Sequence, residues 1–277
     1  MMTVQALKSH FRQISHDTLP YHWLESWLLF VLKKDKSFLI TDGDYVLSDD
    51  EYDGLTAGIK KMQQGVPLAY LMGKQGFFGH EFLVNEHTLI PRPDTEILLD
   101  VVLDFTDHHT PKNSHLLDLG TGSGCIALSL AKALPDWSVL AVDFSQSAIH
   151  IAGQNCELLQ ANNCQFVVSD WYKNVQSKFD VIVSNPPYIA KDDEHLGRLS
   201  AEPITALVAD DDGLSDIKII IAGAKNHLNK GGLLAIEHGF DQGEKVRLLF
   251  DDAGFVNVKT VKDYGGNDRV TFGVCDE

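Results

Sequence analysis

The sequence predicts an α/β domain on a mostly parallel sheet, preceded by a small bundle of helices. Three observations carry this expectation. Apolar runs at 115–119, 138–143, 166–171 and 179–184 each read as a strand and alternate with helical patterns. The first run leads into Gly120-Thr121-Gly122-Ser123-Gly124 and then a helical stretch, a strand–turn–helix order. The first seventy residues carry the helical period and no strand pattern. The expected division is a helical domain over 1–72, a hairpin connector over 73–92 and an α/β domain over 93–277.

Within the helical part, Val4, Leu7, Phe11 and Ile14 fall on one face, as do Leu24, Trp27, Leu28 and Val31 in the next segment. Pro20 suits the first turn of that second helix. Ser48 followed by Glu51 is a capping-box pair, with Tyr52, Leu55, Ile59 and Met62 forming the third face and Gly65 the stop. Such a bundle either stabilises an enzyme or recognises a macromolecular substrate. The connector holds Phe77-Phe78-Gly79-His80 and Phe82-Leu83-Val84, which read as a short hairpin or extended link. The stiff segment Pro91-Arg92-Pro93 follows, and Asp94 or Thr95 is placed to cap a helix over 97–105.

The glycine loop has Gly-x-Gly-x-Gly spacing, with Cys125 where a dinucleotide fingerprint would need its third glycine. Its glycines allow close backbone approach to a ligand, and the helix start offers N–H groups. The second run ends in Asp143, where an acid accepts hydrogen bonds from ribose hydroxyls. The third ends in Asp170-Trp171, an acid and an aromatic suited to an adenine amine and ring. Each piece alone has a bland reading as a turn, a solvated strand end or filler. In this order at successive strand ends, the set points to S-adenosylmethionine as donor.

The run Phe179–Ser184 ends in Asn185-Pro186-Pro187-Tyr188. This tetrapeptide at a strand end is the signature of enzymes that methylate a planar nitrogen. Such a nitrogen shares its lone pair with a carbonyl or ring and is a poor nucleophile, so it must be gripped and aimed. The Asn185 oxygen and the Pro186 carbonyl can each accept one N–H, and neither must ionise. Pro186 and Pro187 restrict the loop, and Tyr188 offers a flat face. A plain turn ending a strand is the competing reading. Beyond it, 191–212 is long, polar and acidic, as expected of a collar beside a site. A helix through Ile217, Ile220 and Ala224, a strand over 233–238, a helix through Val246 and Phe250, and an antiparallel hairpin from 256–261 and 269–274 complete the chain.

Composition sets limits on function. No apolar run reaches membrane-spanning length, and the N-terminal residues lack a signal-peptide core, so neither a membrane nor secretion is expected. The cysteines at 125, 156, 164 and 275 form no metal-ligand spacing, so no metal is expected, and a reducing cytoplasm fits. A net charge of −16 disfavours bare nucleic acid as the main partner.

The assembled pattern resembles the HemK-type glutamine N5-methyltransferases of peptide-chain release factors across essentially the whole chain. The segments that carry the resemblance are Leu89-Ile90-Pro91-Arg92-Pro93-Asp94-Thr95-Glu96, the run 118–124, Ser184–Ile189, Glu202-Pro203 with Ala206-Leu207, and Asp263–Arg269. Gly76 departs from the family, which often has an acid before the aromatic pair. The resemblance implies a class I, Rossmann-like methyltransferase fold. It also implies transfer from S-adenosylmethionine, leaving S-adenosylhomocysteine, to the Gln of the Gly-Gly-Gln motif in bacterial class I release factors. Gly120, Thr121, Gly122, Ser123, Gly124 and Asp143 would hold the donor, with Asp170 and Trp171 at its adenine and Asn185 also in contact with it. Asn185, Pro186, Pro187 and Tyr188 would hold the glutamine amide, with Arg92 and Glu96 bracing the site. A monomer is expected, with the helical domain contacting the release factor. The rivals are a paralogue acting on a ribosomal-protein Gln, an adenine N6-methyltransferase and a non-catalytic adaptor. The paralogue carries Pro-Arg-Ser-Pro where this chain has Pro91-Arg92-Pro93-Asp94.

Overall fold

A computed structural model describes residues 2–109 and 114–276. The chain divides into two compact units, Met1–Gly73 with Gly197–Ala201, and Lys74–Leu196 with Glu202–Glu277.

The first unit is helical. Helix α1 (Val4–Ile14) is capped by Thr3, whose hydroxyl accepts from the Ala6 N–H, and it buries Val4, Leu7 and Phe11. Helix α2 (Tyr21–Leu32) buries Leu24, Trp27 and Leu28; Pro20 sits just before its first turn rather than in it. A one-turn helix α3 (Phe38–Thr41) precedes α4 (Asp49–Gln63), where Ser48 and Glu51 form the reciprocal capping box. Tyr52 points outward, and Leu55, Ile59 and Met62 make the buried face. Gly58 is the tight point: a Cβ there would lie 2.1 Å from the Trp27 ring, whose indole N–H donates to the Leu55 carbonyl. Helix α5 (Leu68–Met72) ends on Gly73 in the left-handed region.

The second unit opens with the hairpin β1 (Lys74–Phe77) and β2 (His80–Leu83). Both turn residues, Phe78 and Gly79, have positive φ, as a two-residue hairpin of matching twist requires. Phe77 and Phe82 are buried in the core of this unit. A 3-10 turn, Pro93–Thr95, leads directly into α6 (Glu96–His109), which is longer than the sequence suggested. No side chain caps that turn, so neither Asp94 nor Thr95 plays the expected capping part; Thr95 is buried.

The central elements are β3 (His115–Leu119), α7 (Cys125–Ala133), β4 (Ser138–Asp143), α8 (Gln146–Leu159), β5 (Cys164–Val168) and β6 (Phe179–Ser184). After them come a one-turn α9 (Asp210–Gly213), α10 (Ser215–His227), β7 (Leu228–Glu237), α11 (Gly243–Asp252), β8 (Val256–Lys262) and β9 (Asp268–Val274). The strands form one sheet in the order β5-β4-β3-β6-β7-β9-β8. The first five are parallel, and β9 runs antiparallel between β7 and β8. This is the mostly parallel sheet with an antiparallel C-terminal hairpin that the sequence predicts.

Side chains alternate across the sheet. Leu116, Val181, Val183 and Leu233 pack on the face covered by α6 and α7. Leu117, Leu119, Ile182 and Leu234 pack on the opposite face against α10 and α11. Both faces are buried, which explains why the strands read as continuous apolar runs. Two strands differ from expectation. β5 stops at Val168 because Ser169 turns the chain: its hydroxyl donates to the Trp171 carbonyl and accepts from the Asn174 N–H. β7 begins at Leu228, since Gly231 and Gly232 bond with Cys275 instead of ending the pairing.

Candidate active site

The sheet order sets the site. From β3 the chain steps outward through β4 and β5, then returns to β6 on the other side of β3. Such a switch point leaves a crevice at the strands' carboxyl ends. Leu119 of β3 is paired with Ser184 of β6, and the Ser184 hydroxyl donates to the Leu119 carbonyl at 2.7 Å. The next residues, Gly120 and Asn185, therefore emerge side by side. The two motifs, 65 positions apart in sequence, open into one cavity of about 300 Å³.

The glycine loop has a defined backbone. Gly120, Gly122 and Gly124 have φ of +74°, +56° and +81°, which a side chain would strain. At Gly124 a Cβ would also lie 3.0 Å from Leu128 and 3.2 Å from Ala152, so this glycine seats α7 against α8. The Gly120 and Thr121 N–H groups donate to the Val142 carbonyl. Asp143, at the end of β4, accepts from the Gly122 N–H at 2.9 Å on one oxygen and from the Ser145 N–H at 2.9 Å on the other. Burial raises its pKa, and the Ser145 and Gly122 N–H groups oppose the shift. Each oxygen keeps a lone pair for a further donor.

Thr121 also bonds to Asp118, which lies fully buried below the loop. Gly120 to Ser123, Asp143, Phe144, Trp171, Asn185 and Pro187 line the cavity. Gly124 is not among the lining residues. Trp171 approaches Gly120: a Cβ on the glycine would meet its ring at 3.4 Å. A narrower recess of about 190 Å³ adjoins, where Asp170 and Asp216 join Trp171 and Phe144. Asp170 is exposed and paired with Lys173 at 2.6 Å.

On the β6 side, the Asn185 side-chain N–H donates to the Thr95 hydroxyl at 3.2 Å. Pro186 is buried, and the cavity wall on this side is Asn185 and Pro187. Tyr188 does not present the flat face expected of it. Its ring packs against the core under α10, and its hydroxyl donates to Glu237 at 3.2 Å. The Tyr188 carbonyl is held by the Gln242 side chain at 3.0 Å, and Gly213 lies so close that a Cβ would reach that carbonyl at 2.1 Å.

The family described as "Methyltransferase small domain" matches residues 94–263, and "PrmC N-terminal domain" matches 7–73. A release factor glutamine methyltransferase of Aliivibrio fischeri is 44% identical over 250 residues, covering 89% of this chain and 87% of its own length. One from Escherichia coli is 40% identical over 270 residues, covering 96% of each chain. The chain belongs to the release factor glutamine methyltransferase family. Solved structures agree on the class I methyltransferase fold. A Pyrococcus furiosus methyltransferase superposes with a TM-score of 0.54 at 18% identity, over 80% of this chain and all of its own. A Thermus thermophilus 16S rRNA N2 G1207 methyltransferase, solved with AdoMet and guanosine, gives 0.53 at 19%, over 73% of this chain and 49% of its own.

Two residues singled out in the family's Pro-Arg-Pro-Asp-Thr-Glu segment go different ways. Arg92 lines the cavity and pairs with Glu202, whose other oxygen accepts from the Ile90 N–H at 3.0 Å. Glu96 does not reach the cavity: it accepts from the Phe78 N–H at 2.8 Å and holds the β1–β2 turn. Sequence reasoning gave no site role to Glu202, Glu237, Phe144 or Gln242, and gave Thr95 only that of a helix cap. Glu202 stood in a quoted segment, and Glu237 ends a strand, which was the available signal. Gln242 lies in no motif. Glu237 is fully buried, and burial raises its pKa to about 7 against the pull of Thr95, Arg269 and Tyr188. From the acidic loop after β6, Pro203, Thr205 and Ala206 line the cavity rim. No helix among the described residues is long and apolar enough to cross a membrane.

Proposed function

We propose that this protein methylates N5 of the glutamine in the Gly-Gly-Gln motif of bacterial class I release factors, with S-adenosylmethionine as donor. The observation that carries the reading is the pairing of Leu119 with Ser184, which opens the glycine loop and Asn185 into the same cavity.

The residues present fit the donor. Gly120 and Gly122 line the cavity without side chains of their own, and the buried Asp143 carboxylate retains acceptor capacity for two ribose hydroxyls. Trp171 and Phe144 supply apolar walls for a purine, with Asp170 at the recess. S-adenosylmethionine, when bound, supplies an electrophilic methyl on a sulfonium. Asn185 binds and orients the target: with its N–H on Thr95, its oxygen is left to accept an amide N–H. The Pro186 carbonyl accepts the second. As the nitrogen becomes positive, these two dipoles stabilise it without themselves ionising. Tyr188 acts from behind the loop, fixing it through Glu237 and the core. Arg92, tied to Glu202, stiffens the cavity edge.

The test is to incubate the protein with isotopically labelled S-adenosylmethionine and a lysate lacking this activity, then sequence the labelled peptide by mass spectrometry. A methylated Gly-Gly-Gln peptide is expected. Label in a ribosomal protein or in DNA would replace the reading.

A further inference from the structure

The turn that ends the acidic loop after β6 is strained. Asp211, Asp212 and Gly213 have φ of +58°, +52° and +80°, three left-handed residues in a row. Such backbone at residues with side chains persists only where neighbours hold it. One neighbour is Gln242, 6% exposed and just before the first residue of α11. Its side-chain N–H groups donate to the Asp212 carbonyl at 3.1 Å and to the Tyr188 carbonyl at 3.0 Å, and its oxygen accepts from the Gly239 N–H at 2.9 Å. Two of these partners can only accept and the third can only donate, so one orientation of the amide satisfies all three. Gly213 lets the parts close up, since a Cβ there would lie 2.7 Å from the Gln242 nitrogen. Backbone bonds join the same two segments: the Ile189 N–H donates to the Leu207 carbonyl at 2.9 Å, and the Ala209 N–H to the Ile189 carbonyl at 3.0 Å.

We infer that Gln242 is a positioning residue for methyl transfer: by gripping Tyr188 and Asp212 together, it sets Asn185 and the Pro186 carbonyl against the cavity rim at Pro203, Thr205 and Ala206. Pro186 and Pro187 have restricted φ, so a hold on Tyr188 carries back along the loop to Asn185. Gln242 is not among the residues that line the cavity, and it acts through Tyr188 rather than on substrate. This inference rests on the function proposed above.

Two variants separate this part from a plain structural one. Gln242→Met fills the space and makes none of the three hydrogen bonds. Gln242→Glu keeps the bond from Gly239 and sets a carboxylate oxygen against the Tyr188 and Asp212 carbonyls. With intact release factor as substrate, both should lower kcat by about tenfold or more, since small misplacements of the reacting group are costly. Calorimetry should find one full S-adenosylmethionine site in each, with affinity within about twofold of wild type. In nitrogen-15 spectra the Ile189 and Ala209 amides should lose exchange protection in both variants, while Leu234 and Ala235 of β7 keep theirs. A wild-type kcat in either variant, unchanged protection at Ile189 and Ala209, or a fall in kcat matched by the same fall in donor sites would each overturn the inference. Damage from Met with a wild-type Glu variant would confine Gln242 to bracing the turn after β7. Wild-type protein that shows the protection yet leaves release factors unmethylated would overturn the proposed function instead.

Discussion

Asp118 offers a quantitative test of the buried electrostatics beneath the glycine loop. It stands on β3 with no exposure, and one oxygen accepts from the Thr121 hydroxyl at 2.6 Å. Burial raises its carboxyl from 3.8 to about 7. Between those two values the folded chain keeps a proton that the unfolded chain has released. Stability is then fullest below about pH 4 and falls as pH rises through about 7. The gap of about three units, at about 1.4 kcal/mol each, amounts to about 4 kcal/mol. Asp118→Asn keeps the shape and cannot ionise, so it should lack this dependence. Relative to wild type, the variant should gain up to about 4 kcal/mol between pH 4 and pH 8, with the steepest change near the middle of that window. Glu237 and Asp143 are also raised, but they occur in both proteins and cancel in the difference. Urea titrations, read by amide-exchange protection of β3 and β4 peptides, would report on this unit alone. Parallel stability curves for the two proteins across the range would refute the reasoning.

Other outcomes follow from the same geometry. Gly124→Ala combines a left-handed φ with contacts at 3.0 and 3.2 Å and should cost about 2–4 kcal/mol. Gly122→Ala has open space around it and should cost only about 1–2 kcal/mol in thermal unfolding; equal losses would contradict the packing assigned to Gly124. Asp143→Ala should weaken S-adenosylmethionine binding by about 1–3 kcal/mol by calorimetry, and unchanged affinity would remove it from the donor site. Asn185→Ala should nearly abolish methyl transfer while leaving donor affinity within a few-fold, because in the proposed mechanism its oxygen serves the acceptor amide; unimpaired single-turnover rates would exclude that role.

Local patterns carried much of this fold. The capping box at Ser48 and Glu51, the buried face Val4-Leu7-Phe11 and the apolar strands 115–119, 138–143 and 179–184 are short-range signals, and each formed where its period placed it. The errors fell where tertiary partners override local chemistry. Thr95 looks like a helix cap, yet its hydroxyl is taken by Asn185, 90 positions away. Tyr188 looks like an exposed stacking platform, yet its hydroxyl finds Glu237 and its ring finds the core. Glu96 stands in a distinctive segment, yet the strained turn at Phe78 claims it.

The sequence by itself determined the kind of chemistry. A glycine loop, an acid at a strand end and Asn185-Pro186-Pro187-Tyr188, in that order, specify donor and acceptor types because backbone freedom, hydrogen-bonding capacity and rigidity belong to the residues themselves. Only the tertiary structure decided which of these groups meet. Strand order and the Leu119–Ser184 register bring residues 120 and 185 together. The same folding delivers Thr95 from the entry to α6, Glu237 from the end of β7 and Gln242 from the start of α11, around one loop. Those contacts span 49 to 90 residues, and no local periodicity encodes them; they exist because burial of both sheet faces forces these strand and helix ends to the same edge.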